Sequence, residues 1–326
     1  MKMKKTNLAV GAISLAISSI AFANEDRSDW PSSLVMGTAS QGGTYYIYGA
    51  GLANLISQEL DINLGTEVTG GPAQNVSMVQ MGEHDFGLTT LGPAQEAIEG
   101  KSPVMAGVEH ENIRAVIPMY SSIFHYAALE QSGITSVADL EGKRLGVGPA
   151  GGTNSVYVPR ILEFLGYDVT TIDGGISDQG GQIQDGLLDG FAQAGGVPLA
   201  AISQLEAQAE VNIFAYSENE IERLLEEFPV LSRADLPAGG YASLDEDVPT
   251  VAMWSFVITH ADAPESLVYE VVKTVMENSE AVAQIHRSAE ETVAENYINN
   301  SAIPFHPGAV RWFEENGYEI PEDLKG

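Results

Sequence analysis

Short apolar runs alternate with helical patterns along most of this chain, and the alternation restarts near its middle. In the first series, Leu34–Ala39 reads as a strand. Tyr45–Leu60 reads as a helix, with Leu52, Leu55, Ile56 and Leu60 at helical spacing. Strand 63–68, helix 74–81, strand 86–90, a short helix 94–99 and a buried strand 113–119 follow. Such a βαβαβ order imposes a largely parallel sheet covered by helices.

The second series opens with a strand at 124–130. Ser136 with Asp139 makes a capping box, and strand 144–147 and helix 155–165 come next. Strand 169–172, helix 179–188, strand 190–194, helix 199–207, strand 211–214 and helix 218–227 complete it. Residues 228–249 are rich in proline and glycine and read as loop, before a long apolar strand at 250–259. An amphipathic helix at 264–277 and a last helix at 309–315, stopped by Gly317, close the chain. The expected architecture is α/β, with two mixed, mostly parallel sheets in two lobes. Crossover segments near 119–124 and 249–256 join them, with a cleft between. The lobes are expected to comprise residues 24–120 plus 253–326, and 121–252.

The first 23 residues have the pattern of a cleaved secretory signal. MKMKK is basic, LAVGAISLAISSIAF is apolar, and Ala21-Phe22-Ala23 supplies small residues before Asn24. The apolar stretch is short for a membrane span and is interrupted by polar residues and glycine. A periplasmic protein is therefore expected. Absence of cysteine excludes disulfides, thiolate metal sites and cysteine nucleophiles.

The whole chain carries 15 basic and 45 acidic residues, a formal charge of −30. Removal of Lys2, Lys4 and Lys5 with the leader leaves 12 basic residues and −33. That surface repels nucleic acid and anionic lipid.

Two turns repeat a pattern in the two series. Ser40-Gln41-Gly42-Gly43-Thr44-Tyr45 and Gly148-Pro149-Ala150-Gly151-Gly152-Thr153-Asn154 each leave a strand and open a helix through Gly-Gly-Thr. Each reads either as an ordinary turn needing positive φ or as a helix N-terminus whose free N–H groups favour an anion. The repetition favours two such ends facing across a cleft. The Gly70–Asn75 turn also leads into a helix. Asn75 is either a ligand contact or a polar helix start, while Thr90 and Gly196 stand at strand ends where α/β sheets meet ligands.

Other chemistry is poorly represented. Gly146–Gly151 matches G-x-G-x-x-G, but a proline inside the turn and the preceding complete α/β series argue against a dinucleotide site. The six histidines are scattered without metal-ligand spacing, and Glu109-His110-Glu111 reads as a solvated loop. His125 reads as a structural histidine. There is no G-x-S-x-G elbow. No catalytic residue, metal or cofactor is expected, and the chain reads as a non-enzyme.

The stretches MGTASQGGTYYIYGAGLANLIS, TGGPAQNVSMVQMGEHDFGLTT, SVADLEGKRLGVGPAGGTNSVYVPRILEFLGY, LPAGGYASLDEDVPTVAMWSFVIT and IPFHPGAVRWFEENGY occur in that order. Together they resemble the TAXI-type solute receptors of TRAP transporters, over nearly all of the chain beyond the leader. The resemblance implies a type II-like periplasmic binding protein, monomeric, that closes on a ligand and hands it to TRAP membrane permease subunits driven by an ion gradient. It implies a small organic acid or amino acid as ligand, such as glutamate or 2-oxoglutarate. The matching positions imply ligand contacts at Gly43, Thr44 and Tyr45, and at Gly152, Thr153 and Asn154, with Asn75, Thr90 and Gly196 added. Ile47 stands where the family turn often has proline, and Gly240 where threonine is common. The latter substitution is expected to alter the pocket wall. An ABC-importer receptor would keep the same fold, and an exported enzyme acting on a small organic acid is the alternative of a different class.

The acidity generates one expectation at once. Thermal stability should rise from low to molar salt, as counter-ions screen repulsion over ~8 Å or less. A melting temperature that stays flat or falls across that range contradicts a salt-adapted surface.

Overall fold

The computed structural model describes residues 26–326, so the expected leader lies outside the described residues. Among the described residues no helix is long and apolar enough to cross a membrane. The first series contains β1 (Leu34–Gly37), α1 (Thr44–Leu60), β2 (Leu64–Glu67), α2 (Pro72–Gln80), β3 (Phe86–Thr90) and α3 (Leu91–Ile98). It runs into β4 (Ile113–Leu129), a strand of 17 residues. The second contains β5 (Arg144–Gly146), α4 (Thr153–Leu165), β6 (Thr170–Ile172), α5 (Ile176–Gln184) and β7 (Gly190–Gly195). It continues through α6 (Ala200–Glu206), β8 (Val211–Phe214), α7 (Glu218–Glu227) and β9 (Ser232–Leu236). The chain returns in β10 (Val248–His260) and ends with α8 (Glu265–Glu277), α9 (Ser279–Ala283) and α10 (Pro307–Glu315).

The strands do not form two separate sheets joined by connecting segments. They form one curled sheet in the order β2-β1-β3-β10-β4-β7-β5-β6, with β8 on β4 and β9 on β10. The segment expected as a crossover at 119–124 is the middle of β4, and β4 pairs antiparallel with β10. β1 pairs parallel with β2 and β3, while β5 pairs parallel with β6 and β7. The two parallel groups therefore hang on one antiparallel pair. Pro118, which has no N–H to give, sits opposite Phe256 where the register slips. Just beyond it, Ser121 N donates to Glu291 Oε2 at 2.8 Å. β9 falls inside the stretch expected to be loop, because its exposed Arg233 and Asp235 alternate with less exposed neighbours along β10.

The amphipathic α8 buries Leu267, Val268, Val271, Val272 and Val275, as its spacing requires. Ser136 and Asp139 form the capping box. His110 departs from expectation: it is fully buried, with Nε2 3.1 Å from Ser77 Oγ and Nδ1 2.8 Å from Val108 O.

His125 is buried in β4. Its Nδ1–H donates to Ile123 O at 2.9 Å, and the Tyr241 hydroxyl, which accepts from Leu199 N at 2.9 Å, donates to Nε2 at 2.7 Å. Burial lowers its pKa from 6.5 to about 4, so the folded protein keeps it neutral. The unfolded chain takes up this proton first as pH falls. The stabilising contribution is thus complete above the unfolded pKa and is lost as pH falls to about 4. The whole span amounts to about 3 kcal/mol. Relative to His125→Gln, wild-type protein should lose melting temperature between about pH 7 and pH 4. Parallel melting curves for the two proteins would contradict this origin.

Candidate functional site

Four helices start around one cavity, each at the carboxyl end of a strand. α1 follows Gly43, α2 follows Gly71, α3 follows Thr90 and α4 follows Gly152, and none of them has a side-chain cap bond. In α2, Pro72 has no N–H and Ala73 N is spent on Gly151 O, and in α3 Gly92 N meets Met253 Sδ. It is therefore at α1 and α4 that first-turn N–H groups are left to whatever fills the space. Gly71 has φ 109°, and a Cβ there would lie 3.3 Å from Gly152 Cα, so the two turns meet backbone to backbone. The cavity between them measures about 50 Å³.

Of the positions singled out from sequence, Gly43, Thr44, Tyr45, Thr90, Gly152, Thr153 and Asn154 all line this space. Thr90 Oγ1, at the end of β3, and Thr153 Oγ1, from the second Gly-Gly-Thr turn, lie 2.7 Å apart. Thr44 Oγ1 donates to Gly196 O at 3.0 Å. The Tyr45 hydroxyl donates to Ser255 Oγ at 2.9 Å, and Ser255 is 2.9 Å from Ser122 Oγ. Burial pushes the Tyr45 phenol well above its ordinary pKa, keeping it a neutral donor. Tyr48 is buried against Tyr120 and bonds Thr292, while Tyr46 is half-buried.

Two positions are placed elsewhere. Asn75 is fully buried: Nδ2 donates to Thr38 O and Leu88 O, both at 2.7 Å, and Oδ1 accepts from Thr69 Oγ1 at 2.7 Å. Its amide ties the ends of β1 and β3 together and does not line the cavity. Gly196 stands behind the wall, where a Cβ would come 2.5 Å from Ser288 Oγ. Gly240 also packs behind it, against Val197, while the neighbouring Tyr241 supports Leu199, a lining residue.

The sequence reading overlooked Gln193 and Ser122. Gln193 is 1 % exposed; its Oε1 accepts from Asn154 Nδ2 at 2.8 Å, and its Nε2 has no partner. Asn154 Oδ1 accepts from Ala194 N, which fixes the orientation of the pair. The available signal was a polar residue inside an apolar strand, Phe191-Ala192-Gln193-Ala194 and Tyr120-Ser121-Ser122-Ile123. The lining contains no Asp, Glu, Lys, Arg or His. Among the described residues no group of three or more His, Asp or Glu is placed to hold a metal ion.

The cleft is closed by bonds between segments far apart in sequence. Ala73 N donates to Gly151 O at 3.0 Å, and Tyr157 and Arg160 reach Glu96 at 2.9 and 2.5 Å. Opposite them, the three carbonyls of Gly196, Val197 and Pro198 accept in turn from Thr44 Oγ1 (3.0 Å), Ser288 Oγ (3.3 Å) and His286 Nε2 (3.0 Å). His286 Nδ1 accepts from Ser288 N at 3.1 Å, which places the ring proton on Nε2. Burial lowers the His286 pKa and maintains that neutral form. Truncating both donors, in His286→Ala with Ser288→Ala, should raise the radius of gyration of the ligand-free protein in solution scattering. An unchanged radius would show that these bonds do not hold the cleft shut.

A model of the NMT1-like family matches residues 36–317, and the chain belongs to that family. Among solved structures it is similar to MatC from Rhodopseudomonas palustris with bound malate, at 12% identity and a TM-score of 0.55. That match covers 87% of this chain and 96% of MatC. It is also similar to the substrate-binding protein of an amino acid ABC transporter, at 15% identity and a TM-score of 0.52, covering 79% and 100% of the two chains. An ancestral arginine-binding protein bound to arginine gives 13% identity and 0.52, with 79% and 98% covered. These likenesses show the fold, that of the periplasmic binding proteins.

Proposed function

As a member of the NMT1-like family with this fold, the chain is, we propose, the extracytoplasmic receptor of a TRAP transporter of the TAXI type. In this reading it takes up a small carboxylate, the class that includes glutamate and 2-oxoglutarate, by closing two lobes over it. The lobes are residues 24–120 plus 253–326, and residues 121–252, with β4 and β10 passing between them. The protein works in the periplasm, as a monomer, and delivers its ligand to membrane permease subunits. It performs no catalysis.

One observation carries the reading. The buried Gln193 Nε2 has no partner and belongs to a cavity onto which uncapped helix N-termini open. A buried donor without an acceptor costs stability until something accepts from it. Helix N-termini add a preference for negative charge, commonly ~0.3–1 kcal/mol and up to ~2 when partly buried. A carboxylate satisfies both. The order of motifs supports the TRAP assignment. The likeness to an amino acid ABC transporter protein supports a second reading, an ABC-importer receptor of the same fold.

Reconstituted uptake separates the transporters. Transport that collapses with an ionophore and proceeds without ATP supports the ion-driven partner; strict ATP dependence supports the other. For the site, a thermal-shift screen of organic acids in high salt should find a ligand that adds ~2.7 kcal/mol at 100 times its dissociation constant. Thr153→Ala should weaken that ligand about tenfold, the scale of one hydrogen bond to a charged group, with melting temperature nearly unchanged. Unaltered affinity in Thr153→Ala would remove the second helix end from the site.

A further inference from the structure

The cavity selects within the carboxylates by size and by charge. We propose that its ligand is a compact monocarboxylate without an ammonium group, an acid of about two to four carbons by comparison with known cavities. Dicarboxylates and amino acids are excluded from tight binding. The inference rests on the anion-site reading above and narrows it, setting aside glutamate and 2-oxoglutarate as tight ligands.

Size comes first. An apolar cavity of ~150 Å³ holds one benzene molecule, and the space here is about 50 Å³. Its walls are not free to retreat while the cleft is shut. Widening it on one side breaks the 2.7 Å contact between Thr90 and Thr153 and the 3.0 Å bond from Ala73 N to Gly151 O. Widening it on the other pulls Thr44 from Gly196 O.

Charge gives a second, independent restriction. No Lys, Arg or His lines the cavity, so a second carboxylate would be buried without a cation. No Asp or Glu lines it either, so the ammonium of an amino acid would be buried without a counter-charge. The polar groups in its wall are amides, hydroxyls and backbone: Gln193, Asn154, Thr90, Thr153, Ser122 and the first turns of α1 and α4. They suit one carboxylate, with a hydroxyl or keto oxygen beside it. The net charge of −30 adds a bias at long range, since it repels a dianion more than a monoanion.

Calorimetry on the mature protein in high salt provides the test, with acetate, lactate and pyruvate set against succinate, 2-oxoglutarate, alanine and glutamate. The tightest binder should be a monocarboxylate, at least tenfold tighter than 2-oxoglutarate, and pyruvate should exceed alanine at least tenfold. A dicarboxylate or amino acid that binds as tightly as the best monocarboxylate overturns the proposal and leaves the anion site standing. Absence of binding by every acid overturns both. Gln193→Glu gives an independent arm, because its carboxylate can still accept from Asn154 while adding negative charge. Its affinity for the best monocarboxylate should fall at least tenfold. Its melting temperature should drop as well because that carboxylate is buried without a cation, with circular dichroism at the assay temperature showing it folded. Unchanged affinity overturns the proposal.

Discussion

The antiparallel pairing of β4 with β10 is the constraint on which the rest of the molecule depends. These are the two longest strands, and every other strand is attached to one of them directly or through one or two neighbours. The parallel group β1–β3 joins through β10 and the group β5–β7 through β4. The ends of the two groups are thereby brought face to face, and the helices that follow them start at one place. Ser122 and Ser255 occupy the middle of this pair, where each is within hydrogen-bond distance of the other. Ser122 of this pair lines the cavity.

Closure depends on a simple chemical match. Backbone carbonyls at Gly196, Val197 and Pro198 meet side-chain donors from α1 and from the C-terminal segment. On the other rim, backbone meets backbone at Gly71 and Gly152, where absent side chains permit the approach. Apart from the Arg160–Glu96 ion pair on that second rim, neither set requires formal charge. A chain with so many acidic residues closes its cleft mainly through neutral groups, and its cavity has none but neutral groups in its wall. Low dielectric makes such bonds stronger and unpartnered ones costlier. That is why the single free amide of Gln193 weighs so much in the reading of the site.

Much of the architecture was legible from periodicity, because most helices bury a stripe and most strands an apolar run, β9 with its exposed Arg233 and Asp235 being an exception. The repeated Gly-Gly-Thr turns also pointed to the helix ends that line the cavity. Asn75 resembled a ligand contact because it begins a helix after a glycine turn, yet its amide is fully used by β1 and β3. Gln193 went unnoticed because a polar residue in a short strand has many explanations until its partners are known. His286 and Ser288 carried no local signal, since their meaning lies in carbonyls some ninety residues earlier in the chain.

Local chemistry along the chain settled most of the order of strands and helices, the positions of the glycine turns and the acidity of the surface. These follow from side-chain spacing, backbone freedom and charge, none of which needs a distant partner. Tertiary structure decided that the two series share one sheet, which donors are spent within the protein and which remain for a ligand, and how little room the closed cleft leaves. Those outcomes depend on pairing between residues far apart in sequence, because a hydrogen-bonding group becomes available or committed only when its neighbours in space are set.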